Sequence, residues 1–296
     1  MGAGQLSGQL PQLLLSGLAV GATYALVGLG IALVVQVTGV INFAQGEFVM
    51  LGALPYAMLA GAGVNRLLAA ALAVAGTACV GALVNLAVIQ PARRASTDRL
   101  ILLTLGASTV LQGLTLLAVG TDPRFARPFT DGEPLRLGGA NLPLQYLWVA
   151  GTTALAVAAV WWLLVHTRTG AAMRATAMDA EAAQLVGVSP RRMSLAVFTL
   201  AAAVGAVGGV VLAPLQAPDA QIGVALGLKG FTAAVAGGLD NPAGAVAGGL
   251  LLGLLEALAA GYLPSGYRDA VAYGLLVAVL LARPTGLLRS LPGVRG

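Results

Sequence analysis

Charged residues are scarce in this sequence. Asp, Glu, Lys and Arg make up 9% of the 296 residues, whereas hydrophobic residues make up 58%. A soluble domain carries about 25% charged residues, so this chain lacks the polar surface needed to cover a core in water. The composition excludes an ordinary soluble protein and predicts that lipid is the solvent over most of the chain.

Residues that usually carry chemistry are equally few. The single cysteine, Cys79, excludes an internal disulfide, and the single histidine, His166, cannot make a metal site by itself. Lys229 is the only lysine and stands in no G-x-x-x-x-G-K-[ST] motif, so the chain is not a P-loop ATPase by itself. No Ser/His/Asp or metal constellation is visible. We therefore expect neither an enzyme nor a bound cofactor in this chain.

Long apolar runs are what the sequence has instead. They are continuous over about 20 residues, which favours helices over the alternating segments of about ten residues that a membrane barrel needs. We predict an all-α polytopic membrane helix bundle of about eight or nine transmembrane helices in one domain, residues 1–296. The glycine-rich segment 226–240 is short and predicts a half-helix or re-entrant piece. The candidate spans are 11–35, 40–60, 64–90, 100–119, 144–166, 195–214, 226–240, 242–262 and 267–283.

Basic residues are unevenly divided between the two ends of these spans. With nine spans, ten fall on one face and six on the other, which predicts that the first face is cytoplasmic and the N-terminus is outside. Lys229 and Asp240 are expected to mark the ends of the short segment. The outer loop 120–143 is expected to be solvated, with docking of an extracytoplasmic partner as the alternative. The cytoplasmic group is Arg93, Arg94, Arg99, Arg168, Arg174, Arg191, Arg192, Arg283, Arg289 and Arg295, and the outer group is Arg66, Arg124, Arg127, Arg136, Arg268 and Lys229.

A polar island, residues 167–194, interrupts the apolar sequence on the predicted cytoplasmic face. At its centre stands Glu181-Ala182-Ala183-x-x-x-Gly187, followed by Pro190. Alanine, glutamine and glutamate favour a helix, Gly187 is suited to end it and Pro190 prevents its continuation. The island thus predicts a short surface helix, which either connects two spans or receives a partner protein.

The island also carries a resemblance to a known class. Glu181, Ala182, Ala183 and Gly187 match the E-A-A-x-x-x-G motif that resembles the coupling loop of ABC-importer permeases. In that class the helix of this loop docks in a cleft on the ATP-hydrolysing subunit and passes its motion to the spans. The resemblance implies that loop 167–194 is a cytoplasmic coupling loop.

The resemblance extends over nearly the whole chain. Residues 17–53 resemble the opening of branched-chain amino acid ABC transporter permeases of the LivH type, and the stretches from Thr167 and from Phe231 resemble that family's central loop and C-terminal third. Gln45 departs from the histidine expected in N-F-A-H-G-E. The family implies a bacterial inner-membrane permease, a second homologous permease, two ATP-binding subunits that hold ATP and Mg, and an extracytoplasmic substrate-binding protein. It implies a branched-chain amino acid as substrate, although related members carry other hydrophobic amino acids, amides or urea.

A few polar residues lie inside the apolar runs. Glu47 in N-F-A-Q-G-E and Glu256 in the eighth span are costly in lipid unless they are paired, neutral or wetted. Asn42, Gln45, Glu47 and Glu256 are therefore candidates to line the translocation path. The alternative for each is a structural role inside the helix packing.

Two repeated patterns also occur. Gly39-x-x-Asn42-x-Ala44 and Gly238-x-x-Asn241-x-Ala243 each stand between two predicted spans, which suggests an internal repeat. Small-x-x-x-small pairs predict close helix contacts, either within the chain or with a second permease. These pairs begin at Gly17, Gly205, Gly244 and Gly249.

Two other classes of membrane transporter are alternatives to an ABC importer. An ion-coupled secondary transporter would use Glu47 or Glu256 as its coupling site, and a channel-like facilitator would need neither. Neither class needs a Glu-Ala-Ala-x-x-x-Gly helix on its cytoplasmic face. The island therefore favours the ATP-driven importer.

Overall fold

The structure, a computed structural model, describes residues 3–137, 140–262, 267–283 and 286. These residues form helices and one small hairpin, which confirms the predicted all-α class. The elements are α1 (Ala3–Thr38), α2 (Gln45–Gly61), α3 (Arg66–Ala92, with a π-helical turn at Asn85–Ile89), α4 (Thr97–Val119), β1 (Leu135–Leu137), β2 (Ala140–Leu142), α5 (Leu144–His166), α6 (Arg168–Met178), α7 (Ala180–Leu185), α8 (Pro190–Leu212), α9 (Ile222–Gly237), α10 (Pro242–Tyr262) and α11 (Arg268–Ala282).

Each of the nine predicted spans corresponds to one helix. Six helices of the described chain, α1, α3, α4, α5, α8 and α10, are long and apolar enough to cross a membrane. The segment predicted at 226–240 is α9, which begins four residues earlier and has 16 residues. At 1.5 Å per residue it is about 24 Å long, shorter than the roughly 30 Å hydrocarbon core.

Helices α2 and α9 both begin in the middle of the bundle. Gln45, the first residue of α2, bonds to Ala201 near the middle of α8, and Glu47 bonds to Ser108 near the middle of α4. Gly223 in the first turn of α9 packs directly on Glu47. Two helices therefore start at the same depth, and neither crosses the whole bundle.

These two helices run in opposite directions from their common starting depth. Helix α2 leads to the outer loop, where Tyr56 stacks on Phe129 with ring centroids 5.4 Å apart. Helix α9 leads to the turn before α10, and the far end of α10 packs against the start of α1 through Gly261 and Leu13. The backbone of Asn141 in β2 bonds to Gln12, which fixes that end of α1 on the outer-loop side. Helix α9 therefore ends on the side of the polar island.

Glycine permits the closest helix contacts, and all four predicted pairs lie at contacts inside this chain. Gly253 of α10 packs on Gly21 of α1, and Gly209 of α8 packs on the backbone of α2 at Val49. An added Cβ at Gly253 would overlap the Gly21 backbone, so α1 and α10 can approach this closely only because residue 253 has no side chain.

The repeated glycine–asparagine pattern marks two turns of similar construction. Gly39 and Gly238 both have positive φ, of 69° and 110°, which glycine adopts without strain. The Oδ1 of Asn42 then accepts from Ala44 N at 3.1 Å, and that of Asn241 accepts from Gly244 N at 3.0 Å. In both places a left-handed glycine ends one helix and an asparagine supports the start of the next.

Candidate coupling loop and buried polar groups

The island contains two helices where the sequence predicted one. Helix α6 was not anticipated as a separate helix, and α7 is the predicted Glu-Ala-Ala helix. Asp179 lies between them, and its Oδ1 accepts from Glu181 N at 2.8 Å and from Ala182 N at 3.0 Å. This cap ends α6 and starts α7, because the capping residue itself adopts an extended conformation. The remainder of the island, from Pro190 onward, already belongs to α8.

The four motif residues divide into supporting and exposed positions. Ala183 is buried, whereas Glu181 and Ala182 are exposed. Gly187 has φ +85° and donates to Gln184 O at 3.0 Å, and Val188 N donates to Ala183 O at 2.9 Å. The prediction that Gly187 ends the helix is therefore confirmed by its left-handed backbone.

Exposed apolar residues surround the end of α7. Leu185 is 90% exposed and Val186 is 77% exposed, and Met178 at the end of α6 is 62% exposed. These three residues were not among the site residues predicted from the sequence. The sequence feature that could have identified Leu185 and Val186 is a pair of branched apolar residues at the end of a helix otherwise made of small and polar residues.

The island is firmly attached to the neighbouring long helices. Gly170 of α6 packs on the backbone of Leu163 and Leu164 of α5, and its N–H donates to Thr167 Oγ1 at 3.0 Å. Met173 of α6 is buried in the main hydrophobic core. Helix α6 is thus held against the bundle while α7 projects from it.

A polar network ties the beginning of α8 to the π-helical turn of α3. Asn85 Nδ2 donates to Ser194 Oγ at 2.6 Å, and Gln90 Nε2 donates to Asn85 Oδ1 at 3.0 Å. Gln90 also reaches the backbone oxygen of Arg191 at 3.4 Å. Because π-helical turns are rare and often occur at functional sites, this turn marks a specialised contact between α3 and the end of the island.

Glu47 is fully buried among α2, α4 and α9. Its Oε1 accepts from Ser108 Oγ at 3.0 Å. Its Oε2 has no hydrogen-bond partner among the described residues and lies against Gly223. The position supplies room for a carboxylate only because residue 223 has no side chain.

The two other polar candidates of this segment have supporting contacts. Gln45 is buried between Gly30 and Gly205, and its Nε2 donates to Ala201 O at 2.9 Å, which ties α2 to α8. Asn42 supports the start of α2, as described above. Both residues therefore lie near Glu47, but their side-chain hydrogen bonds are made to backbone atoms at the start of α2 and in α8.

Glu256 belongs to a separate buried group with Lys229 and Tyr24. Lys229 Nζ lies 3.0 Å from Glu256 Oε1 and 3.2 Å from Oε2, and Tyr24 OH donates to Oε2 at 2.8 Å. The expectation that Lys229 marks the end of the short segment is wrong, because Lys229 lies inside α9. The helix begins earlier than expected, and the ammonium group is drawn inward by the buried carboxylate of α10.

The helices and the island together define the class of this protein. Long apolar helices, two helices that begin inside the bundle, and a capped surface helix together describe a polytopic membrane permease. Residues 13–280 match the family described as branched-chain amino acid transport system, permease component. The chain belongs to this family.

Curated relatives cover the chain almost end to end. It is 33% identical to the high-affinity branched-chain amino acid transport permease LivH of Escherichia coli K12, over 94% of each chain. It is also 33% identical to BraD of Pseudomonas aeruginosa, over 94% of this chain and 95% of BraD. The ribose import permease RbsC of E. coli is 26% identical over 78% of this chain.

A solved structure shares the fold. The chain is similar to a chain of PsaBC from Streptococcus pneumoniae in complex with Fab, with a TM-score of 0.51 and 13% identity, over 95% of this chain and 96% of that one. The family assigns the chain as a multi-pass permease component of an ABC transport system and not as an enzyme. Such a permease works with ATPase and binding-protein partners. Membership of this family rules against the two alternatives, an ion-coupled transporter and a facilitator.

Proposed function

We propose that this chain carries branched-chain or related hydrophobic amino acids across a bacterial inner membrane and forms half of the translocation path. The other half comes from a second homologous permease, and two separate ATP-binding subunits hold ATP and Mg. An extracytoplasmic binding protein delivers the amino acid. The whole chain, 1–296, acts as one permease domain. The substrate class rests on the similarity to LivH and BraD.

We further propose that loop 167–194 couples ATP hydrolysis to transport. The observation that carries this proposal is the exposed apolar end of α7, formed by Leu185 and Val186. These two side chains are exposed next to each other at the end of a helix outside the long apolar helices, and an apolar surface at such a place suits a partner that covers it. Ala183 turns inward and Gly187 closes the helix, so both support the presentation of this end.

The attachments of the island provide a route for its motion. Helix α6 packs on α5 at Gly170, and the first turns of α8 bond to α3 through Ser194 and Asn85. A push on α7 therefore reaches two long helices through short contacts. ATP binding by the partner must favour one arrangement of these helices over the other, since a ligand shifts an equilibrium only by its differential affinity.

Of the four residues predicted to line the translocation path, one fits this role best. Glu256 is paired with Lys229, and Gln45 and Asn42 bond to backbone atoms. Glu47 Oε2 and Gln45 Oε1 are both buried oxygens without a partner among the described residues, but Glu47 alone of these two can carry a negative charge. We therefore propose Glu47 as the lining residue, Gln45 and Asn42 as support for the start of α2, and Glu256 as a separate tie to Lys229.

A charge placed on the apolar end of α7 tests the coupling proposal. Leu185→Asp is expected to lower co-purification of the ATPase subunits and amino acid uptake by about tenfold or more, because an unpaired carboxylate would be desolvated at the contact. The measurement is affinity purification of the tagged permease in mild detergent, followed by mass spectrometry, together with uptake in membrane vesicles.

Ala180→Asp is the matched control for this change. Ala180 is exposed in the first turn of the same helix, where a negative charge is favoured by the helix dipole. It is expected to leave the complex and uptake intact. Normal uptake and ATPase recovery with Leu185→Asp would reduce α7 to a connector between two spans.

A further inference from the structure

Two helix N-termini meet at a buried carboxylate in the middle of this bundle. Helix α2 begins at Gln45 and helix α9 at Ile222, and Gly46 and Gly223 are in backbone contact. Glu47 lies in the first turn of α2 and against the first turn of α9. The N-terminal end of a helix carries a partial positive charge and free N–H donors, so both ends favour a negative group.

The first turn of α9 retains hydrogen-bonding capacity. Gln221, which precedes the helix, makes no side-chain capping bond among the residues that the structure describes. Gly223 is buried against Glu47, whereas Val224 and Ala225 of the same turn are exposed. This helix end is therefore closed on the side of Glu47 and open on the other.

Glu47 is incompletely satisfied in the same place. The side chain is fully buried, Ser108 donates to Oε1, and Oε2 has no donor within the described ranges. A buried polar atom without a partner is costly, and natural structures keep few of them. An oxygen of this kind, lying against the first turn of a second helix, indicates a site that is completed by a ligand carrying a hydrogen-bond donor.

We propose that Glu47 and the N-terminus of α9 form a site for the α-amino and α-carboxylate groups of the transported amino acid. The ammonium group pairs with Glu47 Oε2, and the carboxylate accepts from the first-turn N–H groups of α9. Both groups of an α-amino acid are attached to one carbon, so adjacent donors and acceptors suit them. Transporters commonly place interrupted helices at the membrane centre with their N-termini towards anionic substrate groups.

The site is closed in the conformation described. Gly46 packs on the backbone of Gly223 and Gly227, and a Cβ at Gly223 would overlap the Glu47 carboxylate. Substrate binding therefore requires this crossing of α2 and α9 to part. The other buried carboxylate, Glu256, cannot serve in the same way because Lys229 and Tyr24 already donate to it.

This inference rests on the proposed transport of amino acids, and the test reads the site separately from transport. Cys79 is the only cysteine and is exposed, so Cys79→Ser gives a background without thiols. Ala225→Cys then reports on the first turn of α9 through its rate of modification by a small thiol reagent. Leu117→Cys in α4, 87% exposed, is the matched control away from the site. The sample for these measurements is the assembled permease–ATPase complex in membranes.

Leucine is expected to slow modification at Ala225→Cys and not at Leu117→Cys. 4-Methylpentanoate, which is leucine without its ammonium group, is expected to protect about tenfold less at equal concentration, since it leaves the buried carboxylate unpaired. Glu47→Gln is expected to abolish protection by leucine, measured as the ratio of the modification rates with and without leucine in the same variant. Equal protection by leucine in Glu47→Gln, or by 4-methylpentanoate in the parent, would overturn the assignment.

Gly223→Ala tests the site without removing the charge. The added methyl group would displace the Glu47 carboxylate, so protection by leucine should be lost. Gly106→Ala is the control, because a Cβ at Gly106 meets nothing within 4 Å. If leucine is imported but never protects Ala225→Cys, this site is wrong and the transport proposal stands. If the assembled complex imports no hydrophobic amino acid, the transport proposal itself fails.

Discussion

Glu47 and Glu256 are both fully buried carboxylates in apolar helices, yet their surroundings differ in kind. Glu256 receives an ammonium group and a phenol, which contact both of its oxygens. Glu47 receives one hydroxyl on one oxygen. A charged residue in a membrane span can therefore be a completed structural tie or an incomplete site. The surroundings, and not the residue type, decide between them.

Removal of Lys229 should have the largest effect on stability, because it leaves Glu256 as poorly satisfied as Glu47. Lys229→Met leaves Glu256 buried and without its countercharge, which is expected to cost about 3–5 kcal/mol of stability. The measurement is the thermal unfolding midpoint of the purified permease complex in detergent.

The double variant Lys229→Met/Glu256→Gln is the control for that change. It removes both charges, and replacement of a whole buried ion pair is often close to neutral, so most of the stability should return. A single variant that is as stable as the double variant would show that the pair does not hold α9 to α10.

Removal of the hydroxyl beside Glu47 should have an intermediate effect. Ser108→Ala leaves both oxygens of Glu47 without a side-chain donor in the described structure, at an expected cost of about 1–3 kcal/mol. Thr109→Ala, one residue further along α4, is the control because that hydroxyl bonds only to its own helix backbone at Leu105. An unchanged midpoint for Ser108→Ala would indicate that Glu47 has another donor.

The smallest effect is expected at Tyr24. Tyr24→Phe removes the phenol that donates to Glu256 Oε2, but Lys229 still contacts both oxygens. The loss should be about 1 kcal/mol, the usual net contribution of one hydrogen bond. The same thermal midpoint measures it, and a loss as large as that of Lys229→Met would mean that the phenol, and not the ion pair, is the main tie to α1.

Local sequence signals predicted much of this fold. Each of the nine apolar runs corresponds to one helix of the described chain, with ends that agree to within five residues except at α1, which begins eight residues before the predicted start. The shortness of α9 was visible in its glycine-rich segment. Gly187 was identified as the end of α7 because a left-handed residue after a helix is usually glycine. These features depend on residues close together in the chain, which is why they could be read from it.

Features that depend on distant residues were missed or left open. Lys229 was placed at a segment end because nothing near it in the sequence reveals Glu256, 27 residues away. The contact of Gly223 with Glu47 joins residues from opposite halves of the chain. Helix α6 was overlooked because its polar sequence lacks the apolar period that marks the spans.

Composition, apolar runs and motifs were sufficient to identify a helical membrane permease, its family and the positions of its helices and surface motif. Which helices form the interior could be seen only once the chain was folded. Helix α1 and helices α4 and α5 have similar mean hydropathy, 2.2 against 1.9 and 1.8, yet 83% of the apolar window of α1 is buried against 17% in each of the others. The physical reason is that lipid is as apolar as a protein core, so composition cannot separate a lipid-facing residue from a packed one.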